Sequence, residues 1–143
     1  MILDAQLQLS SSQALSSAGS TASTNSIDLE QDRNIGIGEP MSVVIFCKTA
    51  LAGTSPTLQA SIQTDDNSGF SSAATIITSQ TLSAMAAGDK LVVPFPANAS
   101  SERYVRVNYT LGGTTPSATV SAFLVPTSSI QNDAYYADAI TIA

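Results

Sequence analysis

The most regular alternation of hydrophobic and polar side chains lies between Arg103 and Leu111. Successive side chains of an extended backbone point to opposite faces, so this alternation predicts a strand with one buried and one exposed face. The buried face consists of Val105, Val107, Tyr109 and Leu111. After the Gly- and Thr-rich segment 112–116 the alternation returns, with Ala118, Val120, Ala122 and Leu124 on the buried face. We therefore predict that the two runs form an antiparallel pair joined by a turn.

Six further runs predict strands elsewhere in the chain, at residues 5–13, 23–29, 41–49, 58–64, 73–80 and 91–95. The run 41–49 is hydrophobic on both faces, which predicts a central strand that is covered from both sides. Segments 33–40 and 51–56 are predicted connections, and 84–88 is predicted to be a short helical turn or a loop. The Ser-rich stretch 16–24 offers almost nothing to bury, so we predict a mobile loop there.

About eight short antiparallel strands on 143 residues suit one domain with a single two-layer core. The predicted fold is all-β: an antiparallel two-sheet sandwich of the jelly-roll type, with a small closed barrel as the alternative. The sandwich occupies residues 1–125, and residues 126–143 form a C-terminal tail or arm. Because hydrophobic residues lie beyond the sandwich at both ends, we expect a homo-oligomer, with a homodimer favoured over a trimer. These residues are Ile2, Leu3, Tyr135, Tyr136, Ile140 and Ile142.

Composition narrows the possible classes of function. The chain has only five basic residues, scattered along its length, and a net charge of -6 at pH 7, so we predict no binding to nucleic acid. No run approaches the ~18 apolar residues that a membrane helix requires, so we predict no membrane partner. The single cysteine, Cys47, is predicted to be a buried, unreactive thiol. The N-terminus lacks the pattern of a signal peptide, so we expect no export.

No motif in the sequence predicts catalysis or metal binding. The chain has no histidine, which removes Ser-His and Cys-His nucleophiles and the commonest zinc ligand. Asp28, Glu30 and Asp32 are spaced two apart on a predicted strand, which places them together on its solvent face instead of forming a catalytic pair. Segment 65–69 lacks the Gly and Glu positions of an EF-hand calcium loop, so turn chemistry explains it. We predict no enzymatic activity and no catalytic residue, cofactor or metal site.

A carbohydrate-binding β-sandwich module is the alternative function. Such modules commonly bind sugars on aromatic platforms, but this chain has no tryptophan and only four tyrosines. Tyr109 is predicted to face the core, and Tyr135 and Tyr136 lie in the tail. Tyr104 is therefore the one tyrosine that we expect on a strand surface.

Four segments, in their order along the chain, resemble those of a known family: MILDAQLQL at 1–9, IGIGEP at 35–40, LQASIQ at 58–63 followed by DNS at 66–68, and ERYVRVNY at 102–109. With them the chain resembles the jelly-roll capsid cement, or decoration, proteins of tailed bacteriophages. The resemblance implies a structural virion protein without enzymatic activity. It implies binding to the outside of an icosahedral capsid, where the protein bridges subunits of the phage major capsid protein. Its implied location is the outer capsid surface of the virion, after synthesis in the host bacterial cytoplasm.

Overall fold

The computed structural model describes residues 3–35, 37–97, 99 and 102–130, and nearly all of its regular structure is antiparallel β-sheet. The elements are a 3-10 turn Ala5–Leu7, β1 Gln8–Leu15, β2 Gly19–Ala22, β3 Ile27–Asp28, β4 Met41–Asp65, β5 Ala74–Thr78, β6 Lys90–Pro94, β7 Tyr104–Pro126 and α1 Thr127–Ile130. Hydrogen bonds join the seven strands into one continuous network. The predicted all-β class is confirmed.

The two longest strands, β4 and β7, each run through both layers of a sandwich. In the first layer the order is β1, the C-terminal half of β7, the N-terminal half of β4, and β6. In the second layer the order is β2 with β3, the N-terminal half of β7, the C-terminal half of β4, and β5. Eight strand segments in this order form the predicted jelly roll. The path of strand pairing does not return to its start, so the described strands form an open sandwich and not the closed barrel.

The predicted hairpin between the runs 103–111 and 118–124 is wrong, because both runs belong to the single strand β7. Each run pairs with the part of β4 that lies opposite it. The predicted turn at 51–56 is also wrong, since these residues lie inside β4. Four register shifts between Cys47 and Thr57 bend the two strands together. The ribbon of β4 and β7 therefore turns a corner from one layer into the other without ending.

Two glycines allow the strands to approach each other at this corner. Gly53 and Gly113 have φ angles of +129° and +98°, in a region that side-chain-bearing residues rarely adopt. A Cβ atom on Gly113 would lie 2.5 Å from the carbonyl oxygen of Ser55, and one on Gly53 would lie 2.9 Å from that of Thr114. Only glycine fits at either position without moving the opposite strand.

The hydrophobic core between the layers contains the side chains that the alternation predicted. All eight buried-face residues predicted in 103–111 and 118–124 are at most 4% exposed. Cys47 is 2% exposed, and its thiol donates a hydrogen bond to the carbonyl oxygen of Thr49. Burial raises the pKa of this thiol. The predicted burial of Cys47 is therefore confirmed.

A polar network crosses the core from β7 to β1. Tyr109 is the largest fully buried side chain, and its hydroxyl oxygen lies 2.8 Å from Ser10 Oγ. Since Ser10 donates its own proton to Gln13 Oε1, it accepts the hydrogen bond from Tyr109. Gln13 also accepts the backbone N–H of Thr24 and donates to the carbonyl oxygen of Ala22. The network therefore ties both layers to the segment between β2 and β3.

Two predictions for the N-terminal part need correction. The predicted loop at 16–24 contains β2, which pairs with residues 108–111 of β7. Backbone hydrogen bonds define this strand and its side chains are little buried, which is why composition indicated a loop. The predicted strand at 5–13 begins instead as the 3-10 turn, where the Asp4 carboxylate accepts the N–H of Gln6. Ala5, the first residue of this turn, is exposed.

Candidate functional site

The outer face of the first layer carries a second hydrophobic cluster. It consists of Val44, Phe46, Phe123, Val125 and Ile130. Val44 is fully buried although it points away from the main core, because Ile130 of α1 packs over this part of the sheet. The prediction that run 41–49 is central and covered from both sides is thus confirmed.

Beside this cluster the same face opens into a groove of about 320 Å³, which we name the outer groove. Its lining residues are Leu3, Gln8, Ser11, Ser12, Phe46, Lys48, Ser121 and Phe123. Phe46 and Phe123 belong both to the groove and to the hydrophobic cluster, and their rings meet edge to face with centroids 6.3 Å apart. The two rings therefore form an apolar wall that connects the cluster with the groove.

A bulge in β1 shapes the polar rim of the outer groove. Ser12 has a φ of +46°, and the register between β1 and β7 shifts between Ser10 and Gln13. The backbone N–H of Ser12 donates to Ser121 Oγ at 2.9 Å, and Ser12 Oγ accepts from Lys48 Nζ at 2.8 Å. The rim thus presents hydroxyl groups and a positive charge beside the apolar wall. Such a groove suits an apolar side chain whose neighbours in sequence are polar or acidic.

The three carboxylates that the sequence places on a solvent face are exposed in the structure. Asp28 accepts two hydrogen bonds from the guanidinium of Arg103, both at 2.8 Å, and a third from the backbone N–H of Glu30. The guanidinium, together with the Glu30 N–H, lowers the pKa of Asp28 to about 2. Asp28 therefore anchors β3 to the start of β7. Glu30 and Asp32 lie on the surface beside it.

Acid should weaken the ion pair between Asp28 and Arg103. A carboxylate whose pKa falls from 3.8 to about 2 on folding stabilises the protein above pH ~4, and this contribution disappears as the pH falls through ~2. We expect the Asp28→Asn variant to melt slightly below the wild type at neutral pH, because both side chains are 43% exposed and an exposed pair contributes little. Thermal unfolding followed by circular dichroism should show the two proteins converging near pH 2. A difference that stayed constant down to that pH would contradict the assignment.

Segment 65–69 is a turn held by its own side chains. The Asp65 carboxylate accepts the backbone N–H groups of Asn67 at 2.8 Å and Ser72 at 2.7 Å. The Asn67 side-chain oxygen in turn accepts the N–H of Gly69. These hydrogen bonds confirm the predicted turn. Those from Asn67 and Ser72 also lower the pKa of Asp65. Among the described residues, no group of three or more His, Cys, Asp and Glu side chains could hold a metal ion.

The outer face of the second layer is polar. Its outward side chains include Gln59, Ser61, Gln63, Tyr104, Arg106, Asn108 and Thr110. Arg106 Nε donates to Gln63 Oε1 at 2.9 Å, and the Arg106 guanidinium lies 4.1 Å from the centroid of the Phe70 ring. The guanidinium of Arg103 lies 5.0 Å from the ring centroid of Tyr104. The tyrosine predicted on a strand surface is therefore half-buried, with a charged group over its ring.

The two predicted hydrophobic ends are only partly within the described residues. Leu3 is 42% exposed and lines the outer groove. The other five residues of this prediction, Ile2, Tyr135, Tyr136, Ile140 and Ile142, lie outside the described residues. In the part of the chain that the structure describes, no helix has the length and apolar character needed to cross a membrane.

The outer groove was not predicted from the sequence. The signal that could have found it is Phe123, a large hydrophobic residue at an outward position of the run 118–124. The bulge at Ser12, which completes the rim, has no comparable signature in the sequence.

Comparison with known proteins identifies one family. The family model described as Bbp16 matches residues 9–124 of the chain. This match begins in β1 and ends in β7, so it covers nearly the whole sandwich and stops before α1. No curated protein matches the chain.

Proposed function

The chain belongs to the Bbp16 family, which is phage-related, and from this premise we propose that it is a structural virion protein. It binds the outside of an icosahedral phage capsid and stabilises the shell by bridging neighbouring subunits of the major capsid protein. The observation that carries the proposal is the family match across nearly the whole sandwich, which agrees with the resemblance of four segments to capsid cement proteins. The role requires no catalysis and no cofactor, and its contacts are with protein.

Two physical features support a bridging role. The net charge of -6 is spread over the chain and partly paired, as in Asp28 with Arg103. Electrostatic attraction between the protein and the capsid over long distances is therefore weak, and the fit between the two surfaces contributes more to binding. The hydrophobic core between the layers and the continuous ribbon of β4 and β7 hold the two outer faces in a fixed relation. A rigid body with two outer faces can contact two neighbouring subunits at once.

The same proposal includes self-association, as a dimer in preference to a trimer. Val92 on the first layer and Ile37 in the connection before β4 are 37% and 65% exposed, and exposed large hydrophobic side chains often lie in contact surfaces. A dimer that engages the shell at two points gains about 10² to 10⁴ in effective affinity when its spacing matches that of the shell. Each single contact can then be weak.

We expect the purified protein to bind empty mature shells and hardly to bind unassembled capsid protein, because only the assembled shell offers several subunits at the correct spacing. Co-sedimentation measures the binding, and the temperature at which bare and decorated shells break measures the stabilisation. Decorated shells should break at a higher temperature. Equal binding to both forms of the capsid protein, or unchanged heat resistance, would contradict the proposal.

Matched surface variants test whether the outer face of the first layer takes part. Val92→Glu adds a charge to that face, and Thr110→Glu adds the same charge to the outer face of the second layer. We expect Val92→Glu to weaken shell binding by about tenfold or more, through the contact or through the dimer, and Thr110→Glu to have a smaller effect. Light scattering on each variant separates a loss of the dimer from a loss of the capsid contact.

The alternative function is carbohydrate binding, and the observation that favours it is the polar outer face of the second layer. Arg106 and Gln63 present planar polar groups next to the ring of Phe70, a combination that suits sugar hydroxyls. A glycan array followed by titration of any bound sugar tests this function. Binding that is lost in the Arg106→Ala variant would favour it, whereas an array without signal from a protein that still binds shells would exclude it.

A further inference from the structure

The outer groove combines an apolar wall with a positively charged rim, and none of the described residues that line it is acidic. The wall consists of the rings of Phe46 and Phe123, and the rim carries the ammonium group of Lys48. This ammonium group donates one hydrogen bond to Ser12 Oγ, so two of its three protons remain for another acceptor. The groove therefore suits an apolar side chain that has a carboxylate close to it in sequence.

The described surface of the same protein contains a segment with these properties. In the described part of the chain, three large hydrophobic side chains are exposed: Leu3, Ile37 and Val92. Leu3 lines the groove itself, and Val92 lies in a strand that contains a lysine and no acidic residue. Ile37 is the most exposed of the three, at 65%, and Glu39 follows two residues later. Because a glycine stands on each side of Ile37 in the sequence, no adjacent side chain shields it.

We propose that the segment from Ile37 to Glu39 of a second copy of the chain docks in the outer groove. This inference rests on the self-association included in the proposed function and specifies the surface that it uses. The Ile37 side chain packs against the aromatic wall of the second copy, and the Glu39 carboxylate binds Lys48 there. A groove of about 320 Å³ is at the lower end of the range for ligand pockets, which suits one side chain of this size.

The groove has to be filled by another molecule, because the segment is fixed at the far end of the first layer in its own chain. Glu39 Oε1 accepts a hydrogen bond from Ser128 Oγ at 2.7 Å, which holds the segment beside α1. β4 begins directly after the segment, at Met41, and reaches the groove at Lys48. This length of extended strand spans about 20 Å. Ile37 is therefore too distant from the groove of its own chain.

The segment and the groove lie at opposite ends of one face, which permits a reciprocal contact. When two first layers pack face to face around a twofold axis, the axis exchanges the two ends, so the segment of each copy meets the groove of the other. The hydrophobic cluster that includes Val44 lies between the two ends, near the axis. The hydrogen bond from Ser128 occupies one oxygen of the Glu39 carboxylate and leaves the other for Lys48. Each dimer therefore contains the docking contact twice.

Charge reversal tests the contact between Glu39 and Lys48. We expect Glu39→Lys and Lys48→Glu each to raise the dissociation constant of the dimer by about tenfold or more, because like charges then face each other at both contacts. The double variant should dimerise nearly as tightly as the wild type, since its charges are opposite again. Sedimentation equilibrium over a wide range of concentrations measures the masses. Glu30→Lys makes the same change at an exposed site after β3 and should leave the dimer unchanged.

Mixing the two single variants distinguishes an intermolecular contact from a loss of folding. In a mixed dimer the Glu39→Lys protein supplies the positive charge at both contacts, and the Lys48→Glu protein supplies the negative charge. We expect equal amounts of the two variants to form dimers at concentrations where neither does so alone.

The apolar part of the contact is tested separately at Ile37. Ile37→Ser should weaken the dimer by about tenfold or more, because it removes the side chain that is buried in the groove. Ile37→Leu keeps an apolar side chain of the same size and should have a much smaller effect. Both changes lie at an exposed position, so the folded monomer should be unaffected, which circular dichroism confirms.

The results that would overturn this inference differ in what they imply for the proposed function. A wild-type protein that stays monomeric at every concentration would contradict the proposed self-association as well. A dimer that is insensitive to charge reversal and to Ile37→Ser would use another surface, while self-association would stand. If Lys48→Glu then weakened binding to empty mature shells, the groove would belong to the capsid protein. Assemblies that grow beyond the dimer would exclude the reciprocal contact.

Discussion

Replacing Tyr109 by alanine should lower the free energy of unfolding by about 3–5 kcal/mol, the range for truncating a large buried aromatic side chain. Tyr109 is fully buried between the layers, and among the described residues it is the largest fully buried side chain. Its removal leaves a cavity in the core and takes away the donor to Ser10 Oγ, which belongs to the network that holds the segment after β2. Equilibrium unfolding in urea measures the change, and the midpoint should fall without a large change in slope.

Tyr109→Phe is the matched control for this experiment. It retains the ring and removes only the hydroxyl, so we expect a loss of about 1 kcal/mol. Ser10 would still donate to Gln13, which keeps part of the network in place. If alanine and phenylalanine at this position cost the same, the hydrogen bond and not the packing of the ring would be the main contribution of Tyr109.

The second large effect is expected at the corner of the ribbon. Gly113→Ala should destabilise the protein by about 3–5 kcal/mol, because the cost of a left-handed backbone, about 1–2 kcal/mol, adds to a collision with the opposite strand. The new Cβ would lie 2.5 Å from the carbonyl oxygen of Ser55 and 2.8 Å from that of Thr54. Neither oxygen can move without displacing β4.

Gly88→Ala separates these two contributions. Gly88 has nearly the same φ angle, +94°, but no atom lies within 4 Å of the position of its Cβ. We expect this variant to lose only the backbone contribution of about 1–2 kcal/mol. Thermal and denaturant unfolding of both variants measures the difference. Equal losses at the two positions would mean that the strands at the corner separate easily.

The burial pattern of the strands could be predicted from the sequence, but not the connections between them. Alternation with period two is a local property, and every residue that it assigned to the buried face of the 103–111 and 118–124 runs is buried. The segments 51–56 and 112–116 have the composition of turns, yet they lie opposite each other in the ribbon. Their irregular backbones compensate for one another through shifts in register. The composition of either segment alone therefore predicts that the chain reverses direction, although the strand in fact continues.

The candidate site was less predictable than the fold. The outer groove depends on the outward direction of Phe123, on the partner that β1 takes and on the bulge at Ser12. The last two are properties of strand pairing and not of composition. The same reason explains β2, whose hydrogen bonds to β7 make a strand from residues with little to bury.

The unbroken course of β4 and β7 has a mechanical consequence. Where two layers are joined only by packed side chains and loops, a pull on one face can slide or peel it from the other. Here tension applied to the outer face of the first layer passes along two covalent backbones into the second. The hydrogen bonds between these two strands share that load in shear, so they resist it together instead of breaking one after another. A body built in this way can serve as a tie between parts that are being driven apart.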